Sequence, residues 1–329
     1  MKIVPVLRSC AMVLCLAACG ESGGPAISSM ESASKPAVAA EPAKPAGPRI
    51  GLLMKTLANP FFVEMEKGAR RAEKDLGVTL VVKTSAQETS VGQQIDLVND
   101  LIAQKVAAIV IAPSDSFALV APLKKAADAG IKIVNIDNRL DPKEVEKAAL
   151  LPIPFVSVDN FAGAYKAGKA LADSVSTPAM AGIIEGIRSA DNARLRMEGA
   201  KKALSESKHV TVVASETANW KIEDAYTVTQ QMMARQPKIR LLFAANDMMA
   251  LGAIRYLRET GRKDVLVAGY DANGQALEEI QGGHMLATVD QQAAEQGYQG
   301  IALALKLIRG ETVAPITLID TKLISSNSK

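Results

Sequence analysis

Beyond its first nineteen residues the chain has no cysteine: Cys10, Cys15 and Cys19 are the only three. Disulfides and thiolate-ligated metals are therefore excluded from everything downstream. Histidine is almost as scarce. His209 and His284 stand far apart, each beside the start of an apolar run, which suits loop or surface positions rather than a metal site, and no metal is expected. Aromatic residues make up 4% of a chain that is 48% hydrophobic, so its cores must be built from Val, Ile, Leu and Ala. Basic excess is missing too. Of 38 basic side chains, Lys2 and Arg8 precede Cys19, leaving 36 against 35 acidic ones, so no field for nucleic acid is present.

Several catalytic signatures are also absent after Cys19. Neither Gly-x-Gly-x-x-Gly nor Gly-x-x-x-x-Gly-Lys-Ser/Thr occurs, which argues against nicotinamide and nucleoside triphosphate enzymes, and no cofactor is expected. Gly-x-Ser-x-Gly occurs at Gly20-Glu21-Ser22-Gly23-Gly24, within the Ala, Pro, Ser and Gly-rich stretch and not between a strand and a helix, so it is no nucleophile elbow.

What is present begins with an export signal. Lys2 and Arg8 precede an apolar run from Cys10 to Ala18 that closes on Leu16-Ala17-Ala18-Cys19-Gly20. A charged start, a short apolar middle and small residues form a secretory leader, and the run falls short of the roughly 20 residues a spanning helix needs. The motif resembles a bacterial lipobox, which implies cleavage after residue 18 and a lipid on Cys19. Residues 20–48 are rich in Ala, Pro, Ser and Gly without apolar periodicity, as in EPAKPAGP. Such a segment cannot bury enough surface to offset its ordering entropy, and 19–48 is read as a lipidated, flexible tether.

From Arg49 the pattern turns regular. RIGLLM, VTLVVK, AAIVIAP, IKIVNID, FVSVD, AGIIEG, HVTVVAS, IRLLFA, DVLVAGY and MLATVD alternate with amphipathic stretches near 61–76, 89–105, 116–129, 160–174, 191–206, 222–235, 247–260, 273–281 and 293–309. Unbroken Val/Ile/Leu runs separated by helices predict parallel strands buried on both faces. Some ten such units exceed one ordinary sheet, so two doubly wound, Rossmann-like α/β domains are expected.

Ligands of open parallel sheets bind beyond the carboxyl ends of the strands, where this chain is polar. Lys55, Thr56 and Asn59 follow the first strand, Asp137 and Asn138 the fourth. Arg188, Asp191, Arg194, Asn219, Trp220, Asn246, Asp247, Asp271, Asp290 and Gln291 stand at corresponding places later on. Structural roles compete for several of them. Asn59-Pro60 is a helix start, Asn246-Asp247 another, Asp271 suits a turn, and Arg194 stands four residues before Glu198. Phe61 and Phe62 are ordinary core candidates. Taken together, Lys55, Asn59, Asp137, Arg194, Asn246, Asp271 and Gln291 offer donors and acceptors for a ring of hydroxyls, while Phe61, Phe62 and Trp220 offer apolar faces. A sugar combines those two demands.

The segments TLANPFF, IVNIDNR, NARLRMEGA, LLFAANDMMALGAIRYL, VLVAGYD and ATVDQ resemble, in the same order over nearly all of 49–320, the ribose and allose group of periplasmic sugar-binding proteins. The resemblance implies a type I binding-protein fold, two lobes joined by three crossings, with residues 49–158 and 292–320 in the first lobe and 159–291 and 321–329 in the second. It implies an aromatic sandwich at Phe61, Phe62 and Trp220. It also implies hydroxyl binding by Asn59, Asp137, Arg194, Asn246, Asp271 and Gln291. Its partners would be a monosaccharide, an ABC transporter permease and, as a second reader of the closed form, a chemoreceptor. The protein itself would be a monomer in the periplasm or at the cell surface, held to a membrane by its lipid. Lys55 and Trp220 resemble the allose type, favouring a six-carbon sugar over ribose, ketohexoses or myo-inositol. Asn138 departs from both types, which carry arginine or an acidic residue there.

Two other readings share parts of this pattern. A repressor of the lactose-repressor type has the same core but carries a helix-turn-helix where this chain has a leader and tether. A glycosidase would use two crevice carboxylates, Asp137 and Asp271, and would turn its sugar over.

Overall fold

The computed structural model describes residues 47–150 and 153–326, so the leader, Cys19 and nearly all of the tether lie outside the described residues. The first sheet is made of β1 (Arg49–Met54), β2 (Thr79–Thr84), β3 (Ala108–Ile111), β4 (Lys132–Ile136), β5 (Phe155–Val158) and, from the far end of the chain, β11 (Ile316–Ile319). The second contains β6 (Ala179–Glu185), β7 (Val210–Thr217), β8 (Ile239–Ala244), β9 (Leu266–Ala268), β10 (Ala287–Asp290) and β12 (Lys322–Ser325). Their orders are β11-β5-β4-β3-β1-β2 and β12-β10-β9-β8-β6-β7. Each sheet thus repeats one doubly wound order, reversing direction beside its first strand, which opens a crevice at that point. All pairs are parallel except β10 with β12, whose antiparallel return departs from the all-parallel expectation.

Helices cover both faces of each sheet. Those flanking the first are α1 (Pro60–Leu76), α2 (Val91–Ala103), α3 (Val120–Asp128), the short α4 (Pro142–Lys147) and α10 (Ala293–Ile308). The second carries α5 (Asn160–Asp173), α6 (Asp191–Glu206), α7 (Ile222–Arg235), α8 (Asp247–Glu259) and α9 (Gly274–Gln281). The aliphatic strands are buried as their composition requires: Leu52, Val110, Val134 and Val156 in the first core, Ile183, Leu242 and Val267 in the second. Each such side chain contributes about 1.5–3 kcal/mol relative to an exposed one. α1 and α10 touch along glycines. A Cβ on Gly297 would stand 2.1 Å from the Met65 carbonyl oxygen, so only glycine permits that approach.

The chain passes between the sheets three times: from β5 into α5, from β10 into α10, and from β11 to β12. The crossings are tied to their surroundings, Gln292 Nε2 donating to the Asp320 carbonyl at 2.6 Å and Lys166 Nζ to that of Thr321 at 2.9 Å. Among the described residues no helix is long and apolar enough to cross a membrane.

Candidate functional site

The carboxyl ends of the two sheets face one cavity, lined by residues of both lobes. On the first-lobe side, Asn59 Oδ1 accepts the Phe61 amide at 3.1 Å and so caps α1, while Asn59 Nδ2 donates to Glu88 Oε1 at 2.9 Å. Capping fixes the side chain at the cavity wall, so the structural and the binding role are compatible. Lys55, only 2% exposed, directly follows β1 with its ammonium 2.9 Å from Asp137 Oδ2 and 3.8 Å from Glu88 Oε2. Phe61 and Phe62 pack edge to face at 4.9 Å, and the Lys55 ammonium lies 5.6 Å from the Phe62 ring.

On the second-lobe side Arg196 is the centre. Its guanidinium donates to Asn160 Oδ1 (2.8 Å), the Ala245 carbonyl (3.0 Å) and Gln291 Oε1 (3.2 Å), and lies 3.6 Å from Asp271 Oδ1. It also stacks 3.9 Å from the Tyr270 ring and 5.6 Å from that of Trp220. Gln291 Nε2 donates to Asp271 Oδ1 at 2.6 Å. Asn246 caps α8 by accepting the Met249 amide at 2.9 Å. Trp220 is seated on Gly186, where a Cβ would lie 2.1 Å from the indole ring.

Backbone strain gathers here. Asp137 (φ 61°), Trp220 (φ 66°) and Asp271 (φ 119°) all adopt positive φ, a conformation that costs a non-glycine residue about 1–3 kcal/mol. Neighbouring bonds hold them there: Asp137 N donates to Val156 O at 3.0 Å and Asp271 N to Val289 O at 2.8 Å. Burial also perturbs the acids. It raises the Asp271 carboxyl well above its ordinary range, against the opposing charge of Arg196, and raises Glu88 against Lys55. Asp247, behind the cavity and bonded to Thr288 Oγ1 (2.7 Å) and Asn273 N (2.8 Å), is pushed up by burial to about 7. Two lining groups keep a buried polar atom without a protein partner, Trp220 Nε1 and Asn192 Oδ1. Dehydrated carboxylates, an orphan indole N–H and an orphan carboxamide oxygen are costly, and a ligand rich in hydroxyls supplies what they lack.

A periplasmic binding protein domain matches residues 50–312. The chain belongs to the periplasmic binding protein family. A D-ribose/D-allose-binding protein of Pseudomonas aeruginosa is 44% identical to it over 82% of this chain and 84% of its own. A D-allose-binding periplasmic protein of Escherichia coli is 32% identical over 83% and 91%. Among solved structures, an ABC transporter periplasmic solute binding protein from Actinobacillus succinogenes, crystallised with D-allose, superposes with a TM-score of 0.80 at 39% identity. That match spans 84% of this chain and 97% of the other. Family membership places this periplasmic binding protein outside the cytoplasm.

Within this periplasmic binding protein the cavity is lined by Lys55, Asn59, Phe61, Phe62, Asp137, Trp220, Asn246, Asp271 and Gln291 from the sequence-derived set. Arg194 needs correction. It is half exposed and pairs with Asp191 Oδ1 (2.6 Å) and Glu198 Oε2 (2.9 Å) on the surface of α6. Arg196, two residues on, points inward instead, because the buried face of α6 runs through Asn192, Arg196, Gly199 and Ala203. Asn138 is buried but stands behind the wall. Its amide donates to Pro113 O and Ser116 Oγ and accepts Asn192 N at 3.2 Å, so it joins the lobes rather than lining the cavity. Three lining residues escaped the sequence reading: Glu88, Asn192 and Arg196. Helical phase from Asn192 would have found Arg196; Glu88 is marked only by following the second strand.

Proposed function

We propose that this protein captures a monosaccharide, an aldohexose such as D-allose, between its two lobes and presents the closed complex to an ABC importer. The observation that carries the reading is one cavity combining three aromatic side chains with buried donors and acceptors from both lobes. Lys55 adds an ammonium donor and Trp220 a broad stacking face, which together favour a six-carbon sugar over ribose. Micromolar affinity needs about −8 kcal/mol, well within reach of a small ligand that is almost wholly enclosed.

The test is a thermal-shift and calorimetry series with D-allose, D-ribose, a ketohexose and myo-inositol. D-allose is expected to raise the melting temperature most, since a ligand at 100 times its Kd adds about 2.7 kcal/mol. Tighter ribose binding would overturn the hexose preference. Binding of none would overturn the sugar reading. The sugar is expected back unchanged after long incubation, and product formation would point instead to a carboxylate-based hydrolase.

The proposal extends to Cys19 as the lipid-bearing residue that tethers the protein to a membrane, supported by the lipobox-like Leu16-Ala17-Ala18-Cys19. Cys19→Ser is expected to release or misprocess the protein with its sugar affinity intact. An unmodified Cys19 in the mass spectrum of the mature wild type would refute it.

A further inference from the structure

The ionisable side chains lining the cavity are Lys55, Glu88, Asp137, Arg196 and Asp271, two cations against three carboxylates. Two of the acids have a cation each: Asp137 faces Lys55 at 2.9 Å and Asp271 faces Arg196 at 3.6 Å. Glu88 is left to share Lys55, 3.8 Å away and already engaged, with a hydrogen bond from Asn59 as its remaining support. It is 7% exposed, in the loop after β2, and Asp247 adds a further buried carboxyl behind the cavity, at the start of α8 in the second lobe. Every cation of the cavity is therefore committed, and the uncommitted charge is negative.

We propose that Glu88 is a specificity-determining residue that makes the cavity reject sugars bearing an anionic group and keeps its two lysine and arginine cations for neutral hydroxyls. The inference rests on the sugar reading above and narrows it to uncharged monosaccharides. A carboxylate brought into this cavity meets Glu88 with no free cation to offset either group, in surroundings that screen like charges poorly. A neutral hydroxyl in the same place donates to Glu88 and accepts from Lys55 or Asn59, completing their hydrogen bonding. Burial raises the Glu88 carboxyl above its ordinary range against the charge of Lys55, which favours its uncharged form, so the repulsion is read at high pH, where the acid is ionised.

Glu88→Gln separates charge from shape, since the amide oxygen still accepts from Asn59. The probes are D-allose and D-alluronate, in which a carboxylate of nearly the same size replaces the CH2OH group, measured by calorimetry at pH 8.5 to favour the ionised acid. The wild type is expected to bind D-allose at least 100-fold tighter than D-alluronate, and Glu88→Gln to shrink that ratio at least tenfold. A merely structural role for Glu88 would weaken both sugars together and leave the ratio unchanged, which overturns the proposal, as does a wild type that binds both equally. A wild type that binds D-allose tightly while the variant keeps the full ratio removes this inference alone. A wild type that binds neither removes the sugar reading and this inference with it.

Discussion

Arg194 and Arg196 are two residues apart on α6 and lie in opposite surroundings. Arg194 makes ion pairs in water, where such pairs are worth about 0–1 kcal/mol. Arg196 is 3% exposed and bonded to Asn160, Ala245 and Gln291 beside Asp271. Removing one member of a buried pair leaves the other uncompensated, at about 3–5 kcal/mol. Arg194→Ala is therefore expected to leave melting temperature and sugar affinity nearly unchanged. Arg196→Lys, which keeps the charge but loses the planar fork, is expected to stay folded and lose at least tenfold in affinity. Equal effects of the two substitutions in calorimetry would contradict this assignment. The type of residue at this point of the cavity was legible in the motif NARLRMEGA, but the position was not, because a motif match carries no helical phase. Asn59 shows the opposite case: the cap expected from Asn59-Pro60 is present, and the same side chain lines the cavity, so the two roles that competed in the sequence coincide in the structure.

Elements with strong local signals were the ones legible in the chain. α1 begins at Pro60 after an Asn cap and ends before Gly77, whose φ of 67° stops it, and β3, four buried aliphatic residues, needs no partner to be recognised. β11 and β12 carry no such mark. ITLI and KLIS are short and nowhere fully buried, ITLI alternating exposed with half-buried positions and KLIS exposed only at Lys322, and they exist as strands because β5 and β10 offer edges to pair with. Propensity over four residues is too weak to announce an edge strand; the pairing is tertiary. The six-residue α4 depends likewise on its Asp141 cap, which accepts the amides of Lys143 and Glu144. Glu88 belongs with these silent features. It sits in a loop whose course is set by neighbours distant in sequence, Asn59 and Lys55, and nothing in SAQETS distinguishes it from a solvated acid.

The whole molecule closes through polar contacts. Ile319, at the third crossing, packs against the apolar clusters of both lobes. Away from the crossings the lobes are joined by Ser116 N to Ser189 O (3.1 Å), Asp191 N to Ser116 Oγ (3.0 Å), Asn192 N to Asn138 Oδ1 (3.2 Å) and Lys221 Nζ to Gln87 Oε1 (2.8 Å). Such bonds are replaceable by water at a net cost near 1 kcal/mol each, so a ligand lying between the lobes can tip the balance toward the closed arrangement. A sugar touching Asp137 on one side and Arg196, Trp220 and Asp271 on the other has contacts that exist only when both are near, and it shifts the population toward closure by that difference. Asp271→Ala removes an acceptor on the second-lobe side, leaving a buried hydroxyl unsatisfied at about 1–3 kcal/mol. Affinity is expected to fall at least tenfold with the free protein still folded by circular dichroism. In small-angle scattering the wild type should contract on adding D-allose, and the variant only at a correspondingly higher concentration. A wild-type profile that stays the same at saturation would show a rigid cavity, and unchanged affinity in Asp271→Ala would show that closure does not act through this carboxylate.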